Sequence, residues 1–416
     1  MKQALIGAQL FSGKEFFDNR ALLIDGENII DIINEHNIPN NFETQKLNGG
    51  ILSPGFIDLQ VNGGGGKLFN NSPDKQSLNT IIEAHQHFGT TSIMPTVISD
   101  SLNVLKRCTT TISEVIENNK SLLGVHIEGP FFNVKYRGVH QKQYINTINS
   151  DYLNLFESLK DFPVILTLAP ECISTKQLKH LKSLGFKILA GHTDASYDQL
   201  EEAIKYGLDG FTHLFNAMGQ ISAREPGVVG SALTFDNAAA SIIVDLHHVH
   251  PSLIQMAYKQ KPQGKLFFVS DSMATIHHGE PSFELYDEVV SESNGRIINS
   301  DGKLAGSSIT QIDAIKNAYS RLFNGDYIGM TVYLNTLNED QSSDQIAVII
   351  GDINETTLTL IHPEDFDQTM GINLENLQVD INEDGEGDGS VVIFESGEDS
   401  TTVLEGFTLQ NGRANK

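Results

Sequence analysis

The stretch LLGVHIEGP, residues 122–130, is an apolar run that ends on a carboxylate and then turns. Its first six residues suit a strand buried on both faces. Glu128 stands at the exit, and Gly129-Pro130 forces a change of direction there, because proline fixes its own φ and brings no N–H. Four other segments repeat this plan: 51–62, 187–193, 209–216 and 266–271. Among their polar tips are Gln60, Asn62, His192, His213 and Asp271. A parallel barrel presents its chemistry in this way, from the C-terminal ends of its strands.

Outward from these segments, residues 51–323 alternate strand, loop and helix. Strand candidates fall near 55–60, 92–97, 122–127, 164–169, 186–190, 210–212, 241–245 and 266–270, with helix-compatible stretches such as 197–206 between them. Eight such units over about 270 residues predict an α/β fold, a (β/α)8 TIM-type barrel. Before them, residues 1–50 set apolar runs at 21–24 and 29–33 around Asp25-Gly26, which predicts a few antiparallel strands. Beyond Phe323 the pattern changes again. The runs 332–334, 346–350, 357–361 and 391–394 read as strands between acidic turns, and NEDGEGDGS (382–390) is too polar and glycine-rich to pack. Three parts are expected: 1–50, the barrel at 51–323, and an acidic, β-rich tail at 324–416.

Charge supports the second boundary. Of the net −25, residues 1–323 carry −8 and residues 324–416 carry −17, the tail having only Arg413 and Lys416 against 19 acidic side chains. Such a balance excludes nucleic acid as a partner of either part. Two cysteines, Cys108 and Cys172, make no CxxC pair, which excludes a disulfide framework and fits a reducing cytoplasm. The apolar start at 4–10 is interrupted by Gln9 and reads as a first strand, not a signal peptide, and no run is long enough to cross a membrane.

Glu128 at a strand exit is either an ion-pair partner or a ligand. His192 in LAGHTD (189–194) and His213 in GFTHLFN (210–216), each taken alone, suit a hydrogen-bonded core histidine. Three such residues on strands three, five and six weigh the other way, since one glutamate and two histidines make a catalytic zinc set with a position open for water. Asp271, in FFVSDSMAT (267–275), would be costly to bury unpaired, and beside such a metal it suits a general base toward water and then a general acid toward the leaving amine. Gln60 and Asn62 serve equally as turn-forming polar residues or as contacts to the water. The run Gly63-Gly64-Gly65-Gly66 reads as a hinge more readily than as an anion cradle.

With PGFID (54–58), GVHIEGPF (124–131), AGHTD (190–194) and THLFNAM (212–218) in this order, the chain resembles the amidohydrolase superfamily, and within it the N-acetylglucosamine-6-phosphate deacetylase family. The resemblance covers roughly residues 1–323. It implies hydrolysis of an amino-sugar phosphate, N-acetyl-D-glucosamine 6-phosphate, to D-glucosamine 6-phosphate and acetate. Most amidohydrolases carry His-x-His where this chain has Gln60-Val61-Asn62, and the Gln-x-Asn version implies one divalent metal, with zinc the expected ion. The resemblance places that metal on Glu128, His192 and His213, makes Asp271 the acid–base residue, and sets His140 of RGVHQ (137–141) over the substrate carbonyl. It assigns substrate contacts to Asn216, Ala217, Arg224 and His248. Arg224 takes the phosphate, and His247 and His250 lie close enough in VDLHHVH (244–250) to compete with His248 in register. It also implies a homodimer that completes the phosphate pocket, and a small β-sandwich built by the N-terminal strands with a C-terminal segment.

No match to that C-terminal segment is found in 324–416, where 390–414 instead resembles one coil of a right-handed β-helix. Two other readings stay open: a related amidohydrolase acting on another N-acyl or cyclic amide, and an inactive chimera with a β-helix-like binding module.

Overall fold

The computed structural model describes residues 2–286, 288–300 and 302–322, and beyond them the strands Met330–Leu337, Ser343–Ile350, Thr357–Ile361 and Thr369–Asn373. The strand expected at 391–394, the polar loop at 382–390 and the coil-like stretch at 390–414 lie outside the described residues. The chain divides into two compact units: Phe56–Phe323, and Met1–Gly55 with the described strands after residue 324.

In the larger unit, eight parallel strands stand side by side in sequence order: β1 (Phe56–Val61), β2 (Thr90–Ile98), β3 (Val125–Glu128), β4 (Val164–Leu168), β5 (Lys187–Ala190), β6 (Gly210–Phe211), β7 (Ala239–Ile242) and β8 (Leu266–Phe268). The ring closes just past β8, where Asp271 N donates to Gln60 O and Ser272 pairs with Val61. Helices α1 (Lys75–Gln86), α2 (Leu102–Val115), α3 (Ser150–Ser158), α4 (Thr175–Ser183), α5 (Tyr197–Tyr206), α6 (Gly227–Thr234), α7 (Pro251–Gln260) and α8 (Gln311–Leu322) follow the strands in turn. Their apolar stripes bury against the barrel; Phe131, Phe156, Phe186 and Phe211 are fully enclosed in one continuous core. Each such burial contributes about 1.5–3 kcal/mol.

Local chemistry sets the helix ends. Ser196 caps α5 through a capping box with Gln199, and Gly207 at φ +120° ends it, so the helix expected at 197–206 is found there. Strand ends shift more. β3 starts at Val125, because Gly124 at φ +145° breaks the run, and β7 ends at Ile242, not at 245. An apolar run specifies burial but not which residues find a partner. The β7 ladder with β8 stops at the pair Ile242 and Phe268, and Asp245 is thereby placed in a loop.

The glycine run at 63–66 is a tight hairpin instead of a hinge. Gly63–Gly64 pairs with Lys67–Leu68, a Cβ on Gly63 would sit 2.2 Å from Lys67 O, and the N–H groups of Gly65 and Gly66 donate to Ile276 O and Ala274 O. Between β8 and α8 a four-stranded antiparallel sheet is inserted: Ser282–Leu285, Glu288–Ser293, Arg296–Ile298 and Leu304–Ser307. Its last strand returns to the barrel, with Ser307 N donating to Asp271 O and Met273 N to Ser307 O.

In the smaller unit the N-terminal strands build two sheets, and Thr357–Ile361 pairs with Thr369–Asn373 in a separate two-stranded one. Asn28–Asn34, Arg20–Asp25, Lys2–Ile6 and Glu43–Lys46 form the first; Ser343–Ile350, Met330–Leu337, Ile51–Leu52, Gln9–Phe11 and Phe16–Phe17 form the second. The hairpin around Asp25-Gly26 is antiparallel as expected, but Lys2–Ile6 with Glu43–Lys46, and Gln9–Phe11 with Ile51–Leu52, are parallel pairs. Leu5, Leu10, Ile24, Leu47 and Leu52 join the two sheets in a common core. Met330–Leu337 pairs in parallel with Ile51–Leu52, so a segment of the acidic tail extends the second sheet.

Candidate active site

At the C-terminal mouth of the barrel, Glu128 ends β3 with 3% of its surface exposed. His192 and His213 follow β5 and β6 at φ +52° and +33°, and Asp271 follows β8 at φ +52°. A left-handed backbone is costly for these residues and is found where surrounding structure enforces it. Here it stops each strand abruptly and turns its side chain toward the barrel axis.

The side chains converge. His192 Nε2 and His213 Nε2 lie 3.2 and 3.1 Å from Glu128 Oε1 and 3.0 Å from each other. His140 also faces this group, since ligand atoms of Glu128, His140 and His192 all lie within 4.8 Å of one another. Asp271 Oδ1 accepts from Asn62 Nδ2 at 2.7 Å and Gln60 Nε2 at 3.0 Å, and the Gln60 amide also reaches Glu128 Oε1 at 3.2 Å. The side-chain oxygens Gln60 Oε1 and Asn62 Oδ1 are buried with no hydrogen-bond partner among the described residues. Below them, His126 Nε2, Thr167 Oγ1 and Thr212 Oγ1 make a hydrogen-bonded floor at 2.7 Å spacings.

Electrostatics differ from residue to residue. Burial opposes the charge on Glu128, but hydrogen bonds from His192 and His213 outweigh it and hold the carboxyl well below its usual range. Burial pushes His192 down; it works against His213 too, where Glu128 and Asp271 outweigh it and pull the ring up. Asp271 is raised to about 7, by burial first and then by the charge of Glu128. His140 is lowered to about 3 by burial and by the neighbouring His192. Its Nδ1 accepts from Ser99 N at 3.2 Å, so the neutral ring carries its proton on Nε2 as a donor.

Sequence reasoning missed the residues that aim these groups. Tyr136 O accepts from His192 Nδ1 at 2.9 Å, and Phe132 stacks on the His192 ring at 4.2 Å. Asp245 accepts from the backbone N–H of His247 and His248 and binds His248 Nδ1 at 2.6 Å. Its position three residues before His248 in VDLHHVH was the available signal. His248 is thereby held by a carboxylate, whereas His247 Nδ1 accepts from the exposed Arg296. The charge of His248 is felt at Asp271. Other expected residues stay apart: Asn216 Nδ2 turns to His213 O at 3.2 Å, Ala217 sits at φ +48°, and Arg224 is exposed on the loop before α6 with no carboxylate paired to it among the described residues.

Residues 3–52 match the family model described as the NagA composite domain. The chain is 36% identical to an N-acetylgalactosamine-6-phosphate deacetylase of Shewanella sp. (strain ANA-3), over 67% of this chain and 71% of that one. It is 33% identical to the N-acetylglucosamine-6-phosphate deacetylase of Haemophilus influenzae, over 76% and 84%. It superposes on the crystal structure of N-acetylglucosamine-6-phosphate deacetylase from Pasteurella multocida with a TM-score of 0.75 and 33% identity, covering 77% of this chain and 85% of that one. The chain belongs to the NagA-type deacetylases.

These are hydrolases of the amidohydrolase superfamily, which is metal-dependent, and the cluster here fits a divalent cation. His192 Nδ1 faces a carbonyl and so carries the proton, which leaves the Nε2 lone pair directed at a carboxylate oxygen and at a second imidazole nitrogen. Lone pairs and a carboxylate gathered at 3.0–3.2 Å call for positive charge at their centre. Donors at about 2.0–2.1 Å from a tetrahedral ion are separated by roughly 3.3 Å, close to the spacing found.

Proposed function

We propose that the protein hydrolyses the acetamide of N-acetyl-D-glucosamine 6-phosphate, giving D-glucosamine 6-phosphate and acetate. What carries this reading is Asp271, raised to about 7 and held by two amides beside a buried Glu/His/His set. Zinc is the ion the donor set favours, held by Glu128, His192 and His213. When bound it polarises a water and lowers that water's pKa toward neutrality.

The chain's own residues then divide the proton work. Asp271 accepts a proton from the attacking water as the C–O bond forms. Asn62 and Gln60 fix its carboxylate from one side, and their side-chain oxygens, unpartnered among the described residues, accept from the water. His140, neutral and protonated on Nε2, donates to the amide oxygen as negative charge develops there. Asp271 finally delivers its proton to the nitrogen as the C–N bond breaks. His248, held by Asp245, presents its second nitrogen to the sugar phosphate, and Asn216 and Ala217 contribute from the loop after β6.

Arg224 serves the phosphate. Its exposure and lack of a carboxylate partner among the described residues suit a cation that works across a homodimer interface. The free cysteines fit a cytoplasmic enzyme.

Acetate release from zinc-loaded protein tests the reading. The 36% identity to an N-acetylgalactosamine-6-phosphate deacetylase makes the 4-epimer the second substrate to assay. Faster release from N-acetyl-D-galactosamine 6-phosphate would reassign the sugar, and release from neither would reject the reading.

A further inference from the structure

Glu171 lies in the turn Pro170–Cys172 that follows β4, and it touches none of the groups assigned to the reaction. Its carboxylate nevertheless gathers three donors. Oε1 accepts from Asp194 N at 2.7 Å and from Asn133 Nδ2 at 3.0 Å, while Oε2 accepts from Thr193 Oγ1. Thr193 and Asp194 are the two residues after His192. Asn133 grips the same residue from the other side, donating its backbone N–H to His192 O at 3.0 Å, and its loop includes Tyr136, whose carbonyl holds the His192 ring. Thr193 is tied onward as well. Its N–H donates to Ala217 O at 3.3 Å and its carbonyl accepts from Gly219 N at 3.1 Å. One side chain from the turn after β4 therefore joins the loops after β3 and β5, and the Thr193 backbone carries the tie on to the loop after β6.

We propose that Glu171 is a positioning residue that fixes His192 for metal binding and ties the Asn216–Ala217 loop to it. The proposal rests on the reading of His192 as a metal ligand. The physical need is visible at His192 itself, held at φ +52° without the freedom of glycine. A carboxylate has enough acceptor sites for all three donors, and neutral apolar replacements have none. A ligand's supporting hydrogen bonds set its orientation and thereby the affinity of the site. Gln keeps one oxygen for Asp194 N and Asn133 and can donate to Thr193 Oγ1, so it should substitute in part.

The test uses the full chain loaded with cobalt(II), whose visible bands report ligand geometry independently of turnover. Glu171→Leu is expected to shift the bands, weaken cobalt binding at least tenfold and raise KM for the sugar phosphate. Glu171→Gln should stay within about threefold of the parent affinity. Parent-like bands and affinity in Glu171→Leu would overturn the proposal. If that variant does not fold, Thr193→Val removes one hydroxyl at constant volume. A shift in the same direction and a smaller loss of affinity are expected of it, and unchanged bands overturn the proposal. A parent chain that binds cobalt but releases no acetate counts against the substrate alone and leaves the role of Glu171 standing. A parent without cobalt bands overturns the metal reading and this proposal together.

Discussion

In the proposed reaction Asp271 is both a base and a buried acid, and its surroundings set those demands against each other. Burial and Glu128 raise its carboxyl to about 7, while Asn62 holds the ionised form. Asp271→Asn keeps the shape and the donor set for metal but cannot take a proton; turnover should fall by about 10²–10⁴ with metal content unchanged, measured as kcat beside elemental analysis. Parent-like turnover would end the acid–base assignment. The metal-free chain gives a second handle. A carboxyl with a raised folded pKa contributes stability that is complete below its unfolded value near 3.8 and is lost as pH rises through about 7. Melting temperatures of metal-free parent and Asp271→Asn should therefore agree near pH 3.5 and separate toward pH 7, with the variant the more stable. His140→Gln should lower kcat by about 10²–10³ with little change in KM, because its donor acts on charge that develops only in the transition state.

At the scale of elements, strand ends do the functional positioning, and helix ends do the structural work. Lys261, just past α7, is 6% exposed, and its ammonium donates to Ala232 O, Phe235 O and Ala238 O around the C-terminus of α6. It adds a charged donor to carbonyls at and just beyond the end of α6. Lys261→Met keeps the aliphatic stem and removes the donor from all three, leaving Phe235 O only the N–H of Ala238. A cost of about 3 kcal/mol is expected, seen as a fall of roughly 5–10 °C in Tm, with kcat at 25 °C nearly unchanged. A loss of activity without a loss of Tm would mean that α6 serves the site more directly. The helix at 197–206 was legible because its pattern is local, and the capping box that starts it joins Ser196 and Gln199, three residues apart. The three carbonyls gathered by Lys261 were not, since they lie 23 to 29 residues away.

For the whole molecule, the open matter is the acidic tail. Met330–Leu337 gives Ile51–Leu52 a parallel partner, and Leu52 belongs to the core shared by the two N-terminal sheets. Ending the chain after Phe323 would expose that edge, and exposed edges template aggregation. Truncated protein should bind more hydrophobic dye and lose solubility, while its soluble fraction still binds cobalt, since every proposed ligand precedes residue 323. Dye binding equal to that of the full chain would show that the tail strands add nothing to the first fifty residues.

The residue types and their order were determined by the sequence alone. Apolar runs ending on Glu128, His192, His213 and Asp271 predict a parallel barrel, and the barrel is present with its strands in chain order. Periodicity and tips are local properties, so one dimension suffices to read them. Only the tertiary structure could decide that Gln60 and Asn62 turn their amides onto Asp271, that Asp245 holds His248, and that Glu171 joins the Asn133 loop to Thr193 and Asp194. Those pairings join residues from separate strand ends or depend on where β7 stops, and both are fixed by closure of the ring, which brings together groups up to 211 residues apart.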